Sequence, residues 1–235
     1  MIAAAPHEHI VSAASTPLHD CSNGPDIAAA TYRMLTGRNS ADAEIDDDDS
    51  FDRHVFASIL AVATMESGAV AAAAGLAAAD IVALVVRWFP GAREIVTAWC
   101  AGSNAAEDDE IAMVRDLLQA NRSTHSDVGG WLAAMVARRS MEPNHLWEDL
   151  GLRDRSELSR LLARHFAPLA VRNTKNMRWK RFFYRTLCEA DGVALCTTPV
   201  CSSCSDFDLC FGEESGESRL AYSRREFALT EMTAA

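Results

Sequence analysis

Four cysteines fall within fifteen residues near the end of this chain: Cys196, Cys201, Cys204 and Cys210, in the pattern C-x4-C-x2-C-x5-C. The stretch is rich in Thr, Pro, Ser and Asp, which favour turns, and it is too short and too polar for its thiols to be core side chains. Thiolates this close along a loop can converge on one point. Four of them suit an iron–sulfur cluster or a single tetrahedral zinc. Zinc sites usually pair two CxxC knuckles across a longer insert, whereas here one CxxC, Cys201 to Cys204, is flanked by longer steps. The spacing therefore favours a cluster, with zinc as the alternative.

What precedes the loop is built for helices. The apolar fraction of 49% is ordinary for a globular protein, and alanine supplies much of it. Strand-type runs of Val, Ile, Thr and aromatics are few, so almost no sheet is expected. Seven cysteines, an odd number, read as reduced thiols and metal ligands, not as a disulfide framework. Met1 to His9 lacks a basic n-region and has few apolar residues before Pro6, so no secretory signal is expected and the cytoplasm is the expected location. The longest uncharged run in the apolar region, Ser67 to Ala79, is too short to span a bilayer.

Net charge is −11, unevenly spread. Residues 1–50 carry nine acids against Arg33 and Arg38, net −7, while residues 171–190 carry six bases against Glu189, net +5. An acidic protein repels nucleic acid and anionic membranes, so neither is an expected partner. The basic island reads instead as a local site for a small anion or an acidic partner protein, with Arg178, Arg181 and Arg185 as its candidate anion-binding residues and Lys180 beside them.

Four segments are expected. Residues 1–50, ending in the acid run Asp46–Asp49, read as a mostly disordered leader that has room for a short helix around Ile27 to Leu35. Residues 51–190 form a helical domain. Its first helix has Asp52 as N-cap and Val55, Phe56, Ile59, Leu60 and Ala63 on one face, and pairs as a hairpin with a helix carrying Ile81, Leu84, Val85 and Trp88. An acidic first turn at Glu107–Glu110 opens a third helix, and Gly129-Gly130 precedes a fourth. Asp154 and Glu157 read as a capping box ahead of the stripe Leu158, Leu161, Leu162 and Phe166. The last long helix, about Met177 to Glu189, carries Trp179, Phe182, Phe183, Thr186 and Leu187 at i, i+3, i+4, i+7 and i+8. That period marks the aromatics as core and argues against a base-stacking surface. Residues 191–214 are the cysteine loop, and residues 215–235 are a tail with a short helix expected around Arg224 to Leu229.

The cysteine pattern, the preceding Asn176-Met-Arg-Trp-Lys-Arg-Phe-Phe-Tyr-Arg185 and the following Phe211-Gly-Glu-Glu214 together resemble the NifQ family of nitrogen-fixation proteins. The likeness extends upstream through Leu161 to Phe166 and Asn144 to Leu152, and covers about residues 51–214. It implies a molybdenum–iron–sulfur protein with a cluster of the [Mo-3Fe-4S] type. Such a protein processes molybdate and donates molybdenum to nitrogenase iron–molybdenum cofactor assembly proteins, acting as a metal carrier more than a turnover enzyme. No catalytic residue is assigned. Two other readings stay open on the residues alone: an all-iron [4Fe-4S] electron-transfer protein, and a structural zinc-binding interaction module.

Cys188 lies on the side of its helix that carries Arg181 and Arg185. Nearby guanidinium charge favours a thiolate and the helix C-terminal dipole opposes it, which makes Cys188 a candidate fifth or exchangeable ligand. His145 and His165 are imidazoles of a kind that metals accept. Both read first as structural, His165 as a cap on carbonyls at a helix C-terminus.

Overall fold

The computed structural model describes residues 24–101 and 108–190. Every regular element among them is helical: α1 Gly24–Thr36, α2 Asp48–Ala63, α3 Val70–Ala73, α4 Ala78–Trp88, α5 Val96–Cys100, α6 Asp109–Ala120, α7 Asp127–Arg139, α8 Leu146–Asp149, α9 Arg155–His165, α10 Ala167–Ala170 and α11 Trp179–Ala190. The fold is all-α, as the composition implied. None of these helices is long and apolar enough to cross a membrane. The cysteine loop and the expected tail helix lie outside the described residues.

Packing is organised around α2. Eleven of its sixteen residues are buried, and Phe51, Phe56, Ile59 and Leu60 have no exposure at all. A helix covered on nearly every side is a central element, not the one-striped surface helix that its spacing suggested. Its N-cap is Asp47, whose side chain accepts from the Ser50 N–H at 2.8 Å, so the acid run caps the helix and occupies its first turn, where a carboxylate complements the dipole. Asp52, the expected cap, lies a turn inside and is buried.

α1 matches the short helix expected around Ile27 to Leu35. It lies along α2 with Tyr32 and Leu35 buried, so packed helix lies on both sides of the boundary expected at residue 50. The expected hairpin of α2 with α4 is replaced by this pairing. α4 reaches α2 through Trp88, whose ring lies 5.5 Å from that of Phe56. Gly129 and Gly130 sit within α7 instead of ahead of it. The helix is capped by Ser126, and Gly129 leaves room for the Arg122 stem, which would lie 3.3 Å from a Cβ there.

Because α2 is surrounded, its polar side chains enter the interior with it and need partners there. α9 supplies them. Asp52 accepts from Arg164 through both carboxylate oxygens, each at 3.0 Å, and from His165 Nε2 at 2.8 Å. Two residues further along α2, His54 Nε2 donates to Glu157 Oε2 at 3.1 Å, and His54 Nδ1 lies 2.7 Å from the Tyr32 hydroxyl. Glu157 also accepts from the backbone N–H of Arg153 at 2.9 Å and from its guanidinium. The expected capping box is thus half present. Asp154 caps α9, accepting from Ser156 N at 2.7 Å, but Glu157 is drawn into the core.

The turn between α8 and α9 presses on the same helix. Gly151 has φ +69, and a Cβ built there would lie 2.8 Å from the Ser58 carbonyl oxygen and 2.7 Å from Val62 Cγ1. Backbone cannot yield as a flexible side chain does. Gly151→Ala is therefore expected to cost about 2–4 kcal/mol in urea unfolding, from backbone strain and overpacking together. Gly68→Ala, at φ +114 with nothing within 4 Å, carries the strain alone and should cost less. Equal losses would show that the contact with α2 is unimportant.

Candidate metal centre and the helix that leads to it

Cys196, Cys201, Cys204 and Cys210 lie outside the described residues. Among the described residues, no three His, Cys, Asp or Glu side chains gather as a metal set. The structure does show the helix from which the loop departs and what fixes that helix.

α11 buries Trp179, Phe182, Phe183 and Thr186 and packs against α6. The aromatic stripe is therefore core, as its period indicated. Trp179 meets Phe182 edge-on at 5.8 Å and Phe183 at 6.2 Å, a rigid cluster at the start of the helix. The turn before it is clamped. Asn173 and Met177 exchange two hydrogen bonds of 2.8 Å, and Arg155 donates at 3.0 Å to the carbonyls of Asn176 and Met177. Asn176 takes a positive φ of 53, a conformation that Asn tolerates better than most residues.

Lys180 departs from the expected basic island. Its ammonium donates to Asp149 Oδ2 at 2.5 Å and to the Glu142 carbonyl, fastening α11 to α8. Burial pulls the Lys180 pKa below the ordinary lysine range, although Asp149 acts in the opposite direction. Asp149 is held in turn by Asn144 Nδ2 at 2.9 Å, and its carbonyl by Arg139 Nε at 2.8 Å. The Asn144 to Leu150 segment is thus the seat of α11.

Of the three candidate arginines, Arg178 immediately precedes α11, and Arg181 and Arg185 lie on it. Arg181 is exposed, while Arg178 and Arg185 are partly buried. Arg185 Nε donates to Glu189 Oε1 at 2.7 Å, one turn on. Arg185 also lines a cleft of about 180 Å³ between α11 and the 172–177 turn; Arg178 and Arg181 do not line it. Cys188 is a partly exposed free thiol in the last turn of α11. Tyr184 is half-buried, its hydroxyl 3.7 Å from Met141 Sδ, and burial followed by the Glu110 carboxylate raises its pKa above the ordinary phenol value.

Of the two histidines singled out, His165 is structural by a route other than the expected one. Its ring faces Asp52 instead of capping carbonyls, while its own carbonyl accepts from Ser123 N at 2.8 Å. His145 occupies the N-cap position of α8, where its backbone N–H donates to Glu148 Oε2 at 3.1 Å. His125, in the loop before α7, is exposed. Sequence reasoning passed over His54, Asp149, Arg172 and Lys175. Their roles depend on neighbours that are not adjacent in the chain, and the run of bases from Arg172 was the one local signal for the last two.

An all-helical domain followed in sequence by four closely spaced thiols defines a class: a small helical scaffold with a C-terminal cysteine motif. The chain belongs to the NifQ family, whose model matches residues 55–212, from within α2 through Cys210. It is similar to the NifQ homolog of Sinorhizobium fredii (strain NBRC 101917 / NGR234), 42% identical over 172 residues that cover 72% of this chain and 75% of that protein. Against the NifQ protein of Rhodobacter capsulatus it is 42% identical over 148 residues, 63% of this chain and 80% of the relative. Against that of Azotobacter vinelandii it is 45% identical over 106 residues, 45% and 54%. No solved structure matches. Membership places the chain among nitrogen-fixation proteins.

Proposed function

We propose that this protein processes molybdate and donates molybdenum for nitrogenase iron–molybdenum cofactor biosynthesis, holding an iron–sulfur cluster that contains molybdenum. The observation that carries the reading is the C-x4-C-x2-C-x5-C motif lying wholly within the family match. The donor set fits the group: four soft thiols, with no competing set of three among the described residues. Cys196, Cys201, Cys204 and Cys210 would hold the cluster, with Cys188 as a candidate exchangeable ligand. When bound, such a cluster supplies sulfide and iron to surround molybdenum, which travels as cargo to the assembly proteins.

The chain's own residues have defined tasks. The thiols must deprotonate to bind, so metal loading releases protons and weakens as pH falls. Lys180, Asp149 and the aromatic cluster fix the helix from which the loop departs. No described residue needs to act as a turnover catalyst for a carrier to work.

Metal and acid-labile sulfide analysis of anaerobically purified protein, before and after exposure to molybdate, tests the reading. Iron, sulfide and molybdenum together are the expected result. Iron and sulfide without molybdenum would favour the electron-transfer alternative, and zinc alone a structural interaction module.

A further inference from the structure

The cleft between α11 and the 172–177 turn has a chemical character of its own. Arg172 and Lys175 come from the turn, Arg185 and Glu189 from the helix, so among the described residues its charged lining carries three positive groups and one negative, a balance of +2 in a chain of net charge −11. Asn173, Thr174 and the buried residue Thr186 are the polar uncharged residues of the lining. At about 180 Å³ it is below the size of ordinary organic-ligand pockets yet holds a small ion with several waters.

The turn is held in place. Asn173 is locked to Met177 by two hydrogen bonds and Asn176 to Arg155, so Arg172 and Lys175 project from a fixed backbone. Arg185 is oriented by Glu189 through its Nε.

We infer that this cleft binds a tetrahedral oxyanion dianion of the molybdate and sulfate type, with Arg172, Lys175 and Arg185 as the binding cations and Glu189 as a negative group that weakens and releases it. For molybdate as the resident ion the inference rests on the function proposed above; the cleft's preference for oxyanions does not. Guanidinium groups donate several hydrogen bonds to such ions, and lysine adds a point charge. The last turns of α11 present the negative end of its dipole, so the cations must outweigh it. That opposition, with the exposure of Arg172 and Lys175, makes binding reversible and salt-sensitive, as delivery of an ion requires. The cleft adjoins the end of the helix that carries Cys188, two to three residues beyond Arg185 and Thr186.

The test is equilibrium dialysis of the full-length, anaerobically purified protein against radiolabelled sulfate at low ionic strength, with molybdate and phosphate as competitors. One saturable site is expected, displaced by molybdate, and weakened as salt rises. Arg185→Ala, and Arg172→Ala with Lys175→Ala, should each weaken it roughly tenfold or more, the scale of lost charge-assisted hydrogen bonds. Glu189→Gln should tighten it several-fold, which a merely structural role for the Arg185–Glu189 pair would not do. Arg93→Ala, elsewhere on the surface, controls for overall charge. Absence of a saturable site would overturn the inference. So would a loss in Arg181→Ala equal to that in Arg185→Ala, since the ion would then lie along the exposed helix face. Competition by phosphate but not molybdate would assign the cleft to a phosphate instead of molybdate. Molybdenum in the purified protein without sulfate binding would sink the cleft alone, and sulfate binding without molybdenum would sink the function alone.

Discussion

Glu157→Ala should lower the unfolding free energy by about 3–5 kcal/mol at neutral pH, the cost of removing one member of a buried ionic pair. The carboxylate is 5% exposed and serves His54 Nε2 and both the backbone and the guanidinium of Arg153. Without it, His54 keeps one hydrogen bond to Tyr32 in a site closed to water, and α2 keeps only the Asp52 pairing with Arg164 and His165 of these two buried polar ties to α9. Burial alone would raise the Glu157 pKa, but the hydrogen bonds from His54 and Arg153 prevail and bring it from 4.5 to about 2. A carboxylate with a depressed folded pKa stabilises the fold above its unfolded value and loses that contribution as pH falls through the folded one. The window therefore runs from pH 4.5 down to about 2. At 1.36 kcal/mol per unit the contribution is about 3 kcal/mol. Urea unfolding of both proteins at several pH values checks this: the variant's stability should fall less steeply through the window. Asp52, whose pKa is lowered by His165 and Arg164 against its burial, retains part of the slope in both. A loss below about 1 kcal/mol at pH 7 would show that the pair does no more than a surface bridge.

The second large effect is on metal. Single Cys→Ala changes at 196, 201, 204 and 210 should each remove most bound iron and the visible absorbance, because the loop has no spare thiol within its own length. Far-ultraviolet circular dichroism should stay unchanged in the same proteins and after chelation. Among the described residues the buried apolar set runs from Tyr32 to Phe183, a sizeable core in its own right, unlike a zinc finger, which has no fold without its ion. Cys188→Ala separates a resident ligand from an exchangeable one: molybdenum should drop while iron stays. Full iron in the Cys196, Cys201 or Cys204 variant would end the four-ligand assignment, and collapse of the helical signal would make the metal the organiser of the whole fold.

What could be read from the sequence followed the reach of each signal. The stripe Leu158, Leu161, Leu162 and Phe166 and that of Trp179, Phe182 and Phe183 are local periodicities, and the structure buries both. The thiol spacing is local too, and the family match spans it. An acid before an apolar run usually is a cap, which is all that the local pattern at Asp52 offers; nothing nearby announces Arg164 and His165. Lys180 shares a basic run with its neighbours, yet at 100° per residue it faces another way and finds Asp149, 31 residues upstream. α2 looked one-sided because small residues such as Ala57 and Ala61 give no stripe while being fully covered. Long-range polar pairing and burial by small side chains leave little periodic trace.

The link between Asp52 and His165 spans 113 positions, and that between His54 and Glu157 spans 103. During synthesis at roughly 5–20 residues per second, α2 therefore emerges from the ribosome roughly 5–20 s before α9 can meet it. Through that interval Asp52 and His54 stay hydrated, and a helix meant for the centre of the molecule carries two polar residues that resist collapse onto the wrong surface. Closure waits for α9, so the scaffold is completed only shortly before the cysteine motif itself is made.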